Sequence, residues 1–161
     1  NPGDPDAHHN LGVSLAELKR YDEAEKQYRE AIRIHPGHVH ARVNLGLLLQ
    51  NSGRYDEAEK EFRKAIEIDP EYALAHVNLG LLLYNYLSKY DEAEKEYRKA
   101  IRIDPRNEYA HNNLGALLQN RGRYDEAEKE LRKAIEINPE FTFARNNLKI
   151  LLHSLNRFQE P

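Results

Sequence analysis

Internal repetition constrains this chain more than any other feature. The hexapeptide Tyr-Asp-Glu-Ala-Glu-Lys starts at Tyr21, Tyr55, Tyr90 and Tyr124, at steps of 34, 35 and 34 residues. Asn-Leu-Gly starts at Asn10, Asn44, Asn78 and Asn113, with the variant Asn-Leu-Lys at Asn147. Pro36, Pro70, Pro105 and Pro139 keep the same step. Self-similarity at this period marks a stacked array of small units rather than a fold around one centre. Within a copy, Ala58, Phe62, Ala65, Ile66 and Ile68 recur at helical spacing. Pro70 cannot continue that helix, and it pushes Asp69 out of the helical region. Asp56-Glu57-Ala58-Glu59 reads as an N-cap followed three residues later by an acid. Gly53 and Gly122 are placed to close a first helix in the left-handed conformation. Lys19 holds that place in the first copy. The third copy has Tyr84-Asn85-Tyr86-Leu87-Ser88-Lys89, one residue longer and without glycine, which predicts a longer or distorted turn.

These residues also carry a family resemblance. Leu45-Gly46, then Tyr55, Ala58, an aromatic at Phe62, Ala65 and Pro70 form a pattern that resembles the tetratricopeptide repeat over nearly the whole chain. Two departures stand out. The family often has tryptophan three residues before the leucine of Leu-Gly, where this chain has His8, Arg42, His76, His111 and Arg145. Leu131 replaces the usual aromatic in the fourth copy. The resemblance implies an all-α fold, a right-handed α-solenoid of four helix-turn-helix units plus a C-terminal capping helix. The units would span about 5–38, 39–72, 73–107 and 108–141, with the terminal helix at about 142–156, in one solenoid covering 1–161. Small residues such as Gly46, Ala58 and Ala65 would let neighbouring helices approach closely. Asn1-Pro2 reads as the tail of an earlier unit. Lys149 stands where the other copies have glycine, which fits a last helix with no partner.

Composition narrows the function. The formal net charge is -3, with both signs interspersed. A nucleic-acid ligand would call for a basic face, and an anionic membrane for a polybasic segment, and neither is present. No apolar run is long enough to span a bilayer. The chain has no cysteine, which excludes disulfides, cysteine-ligated zinc and a cysteine nucleophile. Asn1 begins no signal-peptide pattern, and the expected location is cytoplasmic. The chain also has no methionine, as expected of a trimmed or engineered sequence. No nucleophile–base spacing and no glycine-rich phosphate loop appears, so neither enzyme activity nor a cofactor is expected.

In the family, the first helix of each pair lines a concave wall, and binding is expected there. Asn10, Asn44, Asn78, Asn113 and Asn147 recur once per copy, and residues four before, three after and seven after share their helical stripe. The stripes read His40, Asn44, Leu47, Asn51; then Leu74, Asn78, Leu81, Asn85; then Tyr109, Asn113, Ala116, Asn120; then Phe143, Asn147, Ile150, Ser154. An asparagine amide both donates and accepts, so it can pair with the backbone of an extended peptide. Leu47, Leu74, Leu81 and Tyr109 would add apolar contact. The ladder resembles that of peptide-binding members of the family. The competing reading is that asparagine is common at this place whether or not anything binds. Some members instead clamp a C-terminal carboxylate with lysine, arginine and asparagine. The corresponding places here hold His9, Val13, Asn44, Leu74 and Asn78, and only Asn44 matches. Carboxylate capture wants cations, so that mode is rejected.

His35, His38 and His40 form a cluster at the first inter-unit turn, of types that bind transition metals, but without evident supporting carboxylates. The reading favoured for them is a hydrated loop. Pairs such as Glu59–Arg63 and Glu94–Arg98 read as a solvated helix face. Tyr21, Tyr55, Tyr90 and Tyr124 read as inter-helix packing.

Two origins compete. One is an adaptor that binds a peptide or protein segment. The other is an engineered scaffold with no native ligand, favoured by near-identical second helices such as YDEAEKEFRKAIEIDPE and YDEAEKELRKAIEINPE. The insertion near Leu87, the histidine-rich first turn and the uneven groove residues favour a natural origin, and a regularised natural segment accounts for both sets of features. Monomer and weak head-to-tail self-association both remain open, since Ile150, Leu151, Leu152 and Phe158 make the last helix apolar for a cap.

Overall fold

The apolar periods form helices, and Pro36, Pro70, Pro105, Pro139, Gly53 and Gly122 fall between them. The computed structural model describes residues 3–157, with side chains as far as 155. Asn1-Pro2 and Phe158 lie outside the described residues. Four helix pairs follow one another: α1 (Pro5–Glu17) with α2 (Tyr21–Ile34), α3 (Val39–Asn51) with α4 (Tyr55–Ile68), α5 (Ala73–Asn85) with α6 (Tyr90–Ile103), and α7 (Glu108–Asn120) with α8 (Tyr124–Ile137). A single helix, α9 (Thr142–Arg157), ends the series. This is a right-handed α-solenoid of four helix-turn-helix units plus a C-terminal capping helix. The first helices of successive pairs touch directly, α1 on α3, α3 on α5, α5 on α7 and α7 on α9. Among the described residues, no two second helices come that close. Helices spaced more tightly on one side curve the stack, so the first helices form its concave wall.

Close approach within each pair depends on glycine. A Cβ at Gly46 would lie 2.6 Å from Cε1 of Phe62, and Phe62 is completely buried. Glycine inside a helix costs about 1 kcal/mol, whereas a buried phenylalanine is worth about 3–5 kcal/mol against alanine, so the packing term wins. Leu131, in place of the aromatic, keeps the same closeness. A Cβ at Gly115 would meet its Cγ at 2.7 Å. Ala58 and Ala65 are fully buried on the core side of α4, Ile66 is half-buried, and Ile68 is exposed.

The capping box expected at Asp56 is not formed. Arg54 is the N-cap and makes no side-chain cap bond, and Tyr55 is the first helical residue. Asp56 and Glu57 therefore lie in the first turn, where their charge suits the positive end of the helix dipole. The arginine has another use. Its guanidinium forks onto Glu57 at 2.8 Å and reaches back to Glu25 of the preceding pair at 2.8 Å. The motif repeats along the convex side. Glu59 lies between Arg63 and Lys89, at 2.7 and 2.9 Å, and Glu94 between Arg98 and Arg123, both at 2.7 Å. The solvated pairs expected within each helix are present, and cations of the following turn tie them to the next unit. Each exposed pair contributes well under about 1 kcal/mol, so these ties set register more than stability.

The α9 helix closes the array. Leu151 and Ala144 are fully buried, while Ile150 and Leu152 are exposed and Lys149 points to solvent where the other units have glycine. No helix among the described residues is long and apolar enough to cross a membrane.

Gly53 and Gly122 take φ of 75° and 74°. Lys19 is forced to 60°, and Ser88, in the lengthened third turn, to 54°. A side chain in that region costs about 1–2 kcal/mol, and Lys19 is exposed. Lys19→Gly is therefore expected to raise the unfolding free energy by about 1 kcal/mol, read as a higher urea midpoint at unchanged slope.

Candidate functional site on the concave wall

The asparagines sit on the concave helices, but in different environments. Asn10 is exposed. Asn44 is half-buried, and its Nδ2 donates to Nε2 of His9 at 2.9 Å. Asn78 is buried, and its Nδ2 has no partner. Asn113 accepts from Nδ2 of Asn112 at 3.1 Å, and Asn147 donates to Oδ1 of Asn112 at 2.9 Å. The repeat register explains this unevenness. Each asparagine comes level with the residue just before the asparagine of the previous unit, which is His9 for Asn44 and Asn112 for Asn147. For Asn78 and Asn113 that place holds Val43 and Val77, which offer no hydrogen bond. The central two rungs thus lack the cross-unit partner that the outer two have.

The apolar members flank these amides. Leu47 and Leu81 are half-buried, and Leu74 is exposed. Tyr109 is exposed and meets Phe141 edge-on, with ring centroids 4.9 Å apart. Asn51, Asn85 and Asn120 are exposed at the C-terminal ends of their helices. Asn120 donates to the Tyr84 hydroxyl. Of the expected set, Asn44, Leu47 and Asn51 come together around a hollow of about 600 Å³ between the first two units, with Val13, Tyr21 and Tyr28 on its other side. Asn85 and Asn120 share a smaller hollow of about 380 Å³ with Tyr84 and Tyr90.

The sequence placed His9 only at a position of the rejected carboxylate clamp and not with the histidine cluster. It lies 5.0 Å from His38 and 6.3 Å from His40, ring to ring, so the histidine cluster extends across the joint. Burial holds its imidazole below the usual value, and His38 and His40 add to the effect. That favours the neutral ring that accepts from Asn44. Among the described residues, no three histidines or carboxylates converge as metal ligands.

The places that the family often gives to tryptophan carry a polar clasp instead. Arg42 bonds Glu61 on α4 at 2.7 Å and the carbonyl of Pro36 at 2.8 Å. His76 repeats this with Glu96 at 2.6 Å and the Pro70 carbonyl at 3.0 Å, and His111 with Glu130 at 2.6 Å and the Pro105 carbonyl at 3.2 Å. His8 holds Gln27 at 2.7 Å. The clasps of Arg42, His76 and His111 each join the two helices of a pair and, through the proline carbonyl, the end of the previous unit. Burial pushes the Glu96 carboxyl up, but bonds from His76 and Lys99 outweigh it and hold the group below the usual carboxylate range. The repeat spacing of positions 8, 42, 76 and 111 against 27, 61, 96 and 130 was the available signal.

A curved stack of helical hairpins with an amide-and-leucine inner wall defines the class of helical-repeat proteins. Models of the tetratricopeptide repeat match residues 3–71, 39–106 and 108–141, and the chain belongs to that family. A comparison with curated proteins finds no sequence match. Solved structures with the same fold include a MamA protein, with a TM-score of 0.80 and 20% identity over 94% of this chain and 82% of that one. PilF of Pseudomonas aeruginosa gives 0.87 and 23% over 96% and 70%. YrrB, described as a tetratricopeptide repeat protein with an unusual peptide-binding site, gives 0.77 and 22% over 99% and 81%.

The clasp makes a specific expectation. His76→Arg should keep stability within about 1 kcal/mol, since Arg42 makes the same contacts one unit earlier. His76→Ala leaves Glu96 buried without its main partner and should cost about 3 kcal/mol. Urea denaturation of the two variants checks this, and an equal loss in both would refute the equivalence.

Proposed function

We propose that the chain is a protein-interaction scaffold that takes an extended peptide or partner segment along its concave wall, with the asparagine amides pairing to the ligand backbone. The observation that carries this reading is the contrast between the two faces. From α3 to α9 the wall stripes contain only amides, leucines, one isoleucine, aromatics, one histidine and small residues, with no carboxylate and no lysine or arginine. The convex side carries the network of charged pairs described above. A neutral wall with amides at regular steps suits a backbone, which presents one donor and one acceptor per residue. Asn113, half-buried and lacking a cross-unit partner, is the amide with most to gain from a ligand. YrrB, which shares the fold, is described as having a peptide-binding site.

Titration of a diverse peptide pool against this chain and against Asn44→Ala/Asn78→Ala/Asn113→Ala tests the reading, with circular dichroism to check that both are folded. The triple variant is expected to lose about 1–3 kcal/mol of binding free energy. Equal binding by both proteins, or none by the parent, would make the ladder a family inheritance without a ligand.

Self-association is the second reading, and one observation favours it. Phe143 and Ile150 are 69% and 58% exposed on α9. A hollow of about 690 Å³ runs along that helix beside Ile150 and Lys149, on the side where every other first helix receives its partner. Sedimentation across a hundredfold concentration range is expected to show association that Ile150→Glu abolishes. A constant monomer sets this reading aside.

A further inference from the structure

The hollow between the first two units has a counterpart that the chain itself fills. In the repeat register Ala16 corresponds to Gln50 and to Tyr84, and Asn51 corresponds to Asn85 and to Asn120. Tyr84 lies edge-on to Tyr90, with ring centroids 5.7 Å apart, and its hydroxyl receives the Asn120 amide. It also comes close enough to the buried Tyr97 that, after burial itself, it helps push that hydroxyl's pKa up. Two units earlier the same three neighbours are Tyr21, Tyr28 and Asn51, and all three line the 600 Å³ hollow. Ala16 lines it as well, where a tyrosine would fill it. The mouth is open for a related reason. In the second unit Tyr86 stacks on Tyr55 at 4.5 Å, whereas Ser52 holds the equivalent place beside Tyr21. Tyr21 is left 51% exposed.

We infer that this hollow is an anchor site for a tyrosine side chain supplied by a partner segment. The ring would take the place that Tyr84 takes two units on, edge-on to Tyr21 and against Val13 and Leu47. Its hydroxyl would accept from the Asn51 amide as Tyr84 accepts from Asn120. The site gives the concave wall its side-chain selectivity, since amides pairing with a backbone read no sequence. As an anchor for a peptide it rests on the groove reading above. The phenol pocket itself is tested separately from the ladder.

The test is an NMR titration of the full chain with p-cresol and with toluene. Saturable shifts confined to residues around the hollow, among them Val13, Ala16, Tyr21, Leu47 and Asn51, are expected, with p-cresol bound about 3- to 10-fold more tightly than toluene, the worth of one hydrogen bond. Asn51→Ala, at an exposed position, should erase that preference and leave toluene binding unchanged. Ala16→Tyr should abolish binding of both probes while the helical signal is retained. No saturable shift up to the solubility of p-cresol, or unchanged binding in a folded Ala16→Tyr protein, overturns the proposal. Equal affinity for the two probes overturns the role of Asn51 and with it the choice of tyrosine. Phenol binding in a chain that binds no peptide would uphold the pocket and remove the ladder. Peptide binding that depends on the ladder without phenol binding would remove the pocket alone.

Discussion

The contact between a bare helix backbone at Gly12, Gly46, Gly80 and Gly115 and the large side chain of the following helix governs the geometry of this protein. At each of these positions a Cβ would come within 2.5–2.7 Å of the facing ring or leucine. No methyl group fits there, so the two helices of each pair lie as close as their backbones allow. With that distance fixed, the remaining surfaces of each pair must be covered by the next pair. The first helices then touch along the inner wall while the second helices splay apart, and the curvature that makes a groove follows from packing alone.

Apolar packing of this kind has no directional preference and could slide by a residue. Polar contacts at the joints oppose that. The clasp from Arg42, His76 or His111 reaches a carboxylate on its own second helix and a proline carbonyl of the unit before. It therefore fixes the angle within a pair and the offset between pairs with one side chain. A guanidinium and an imidazole take the same place because each has one nitrogen facing the carboxylate and another facing the carbonyl. On the convex side, the glutamates between two cations repeat the register at the surface, where water screens each bond and only their number matters.

The sequence shows the regular part of this architecture directly, because helix period, turn glycines and proline stops depend on neighbours within a few residues. Lys19 and the lengthened third turn were legible for that reason, as were the buried faces of α4. The cap at Asp56 was misplaced by two residues. Its acid spacing matches a capping box, but the helix is anchored by Tyr55 packing and by the bridge from Arg54 to Glu25, and the bridge spans 29 positions of the chain. The candidate site is less legible for the same reason. The stripe puts all five asparagines on the first helices of their units, α1, α3, α5, α7 and α9. Whether an amide is exposed, buried or already engaged depends on the residue level with it in the previous unit. His9 and Asn112 occupy two of those places, Val43 and Val77 the other two, and no pattern within one helix reports this.

Selectivity in such an array lies in the differences between units rather than in what they share. A groove built from identical units would present the same surface at every step and could hold a ligand in several registers of similar energy. Here the steps are unequal. Tyr84 and Tyr86 fill the second and third joints from within, while Ala16 and Ser52 leave the first joint open. The valines deprive the central asparagines of cross-unit partners, and the histidines cluster at the first turn. On the reading proposed above, a ligand with a bulky ring at the first joint and its backbone amides beside Asn113 would satisfy these at once. Moving it by one unit would press the ring against Tyr55 and Tyr86, which already occupy each other, so on that reading the irregularities themselves would set the register of a bound segment.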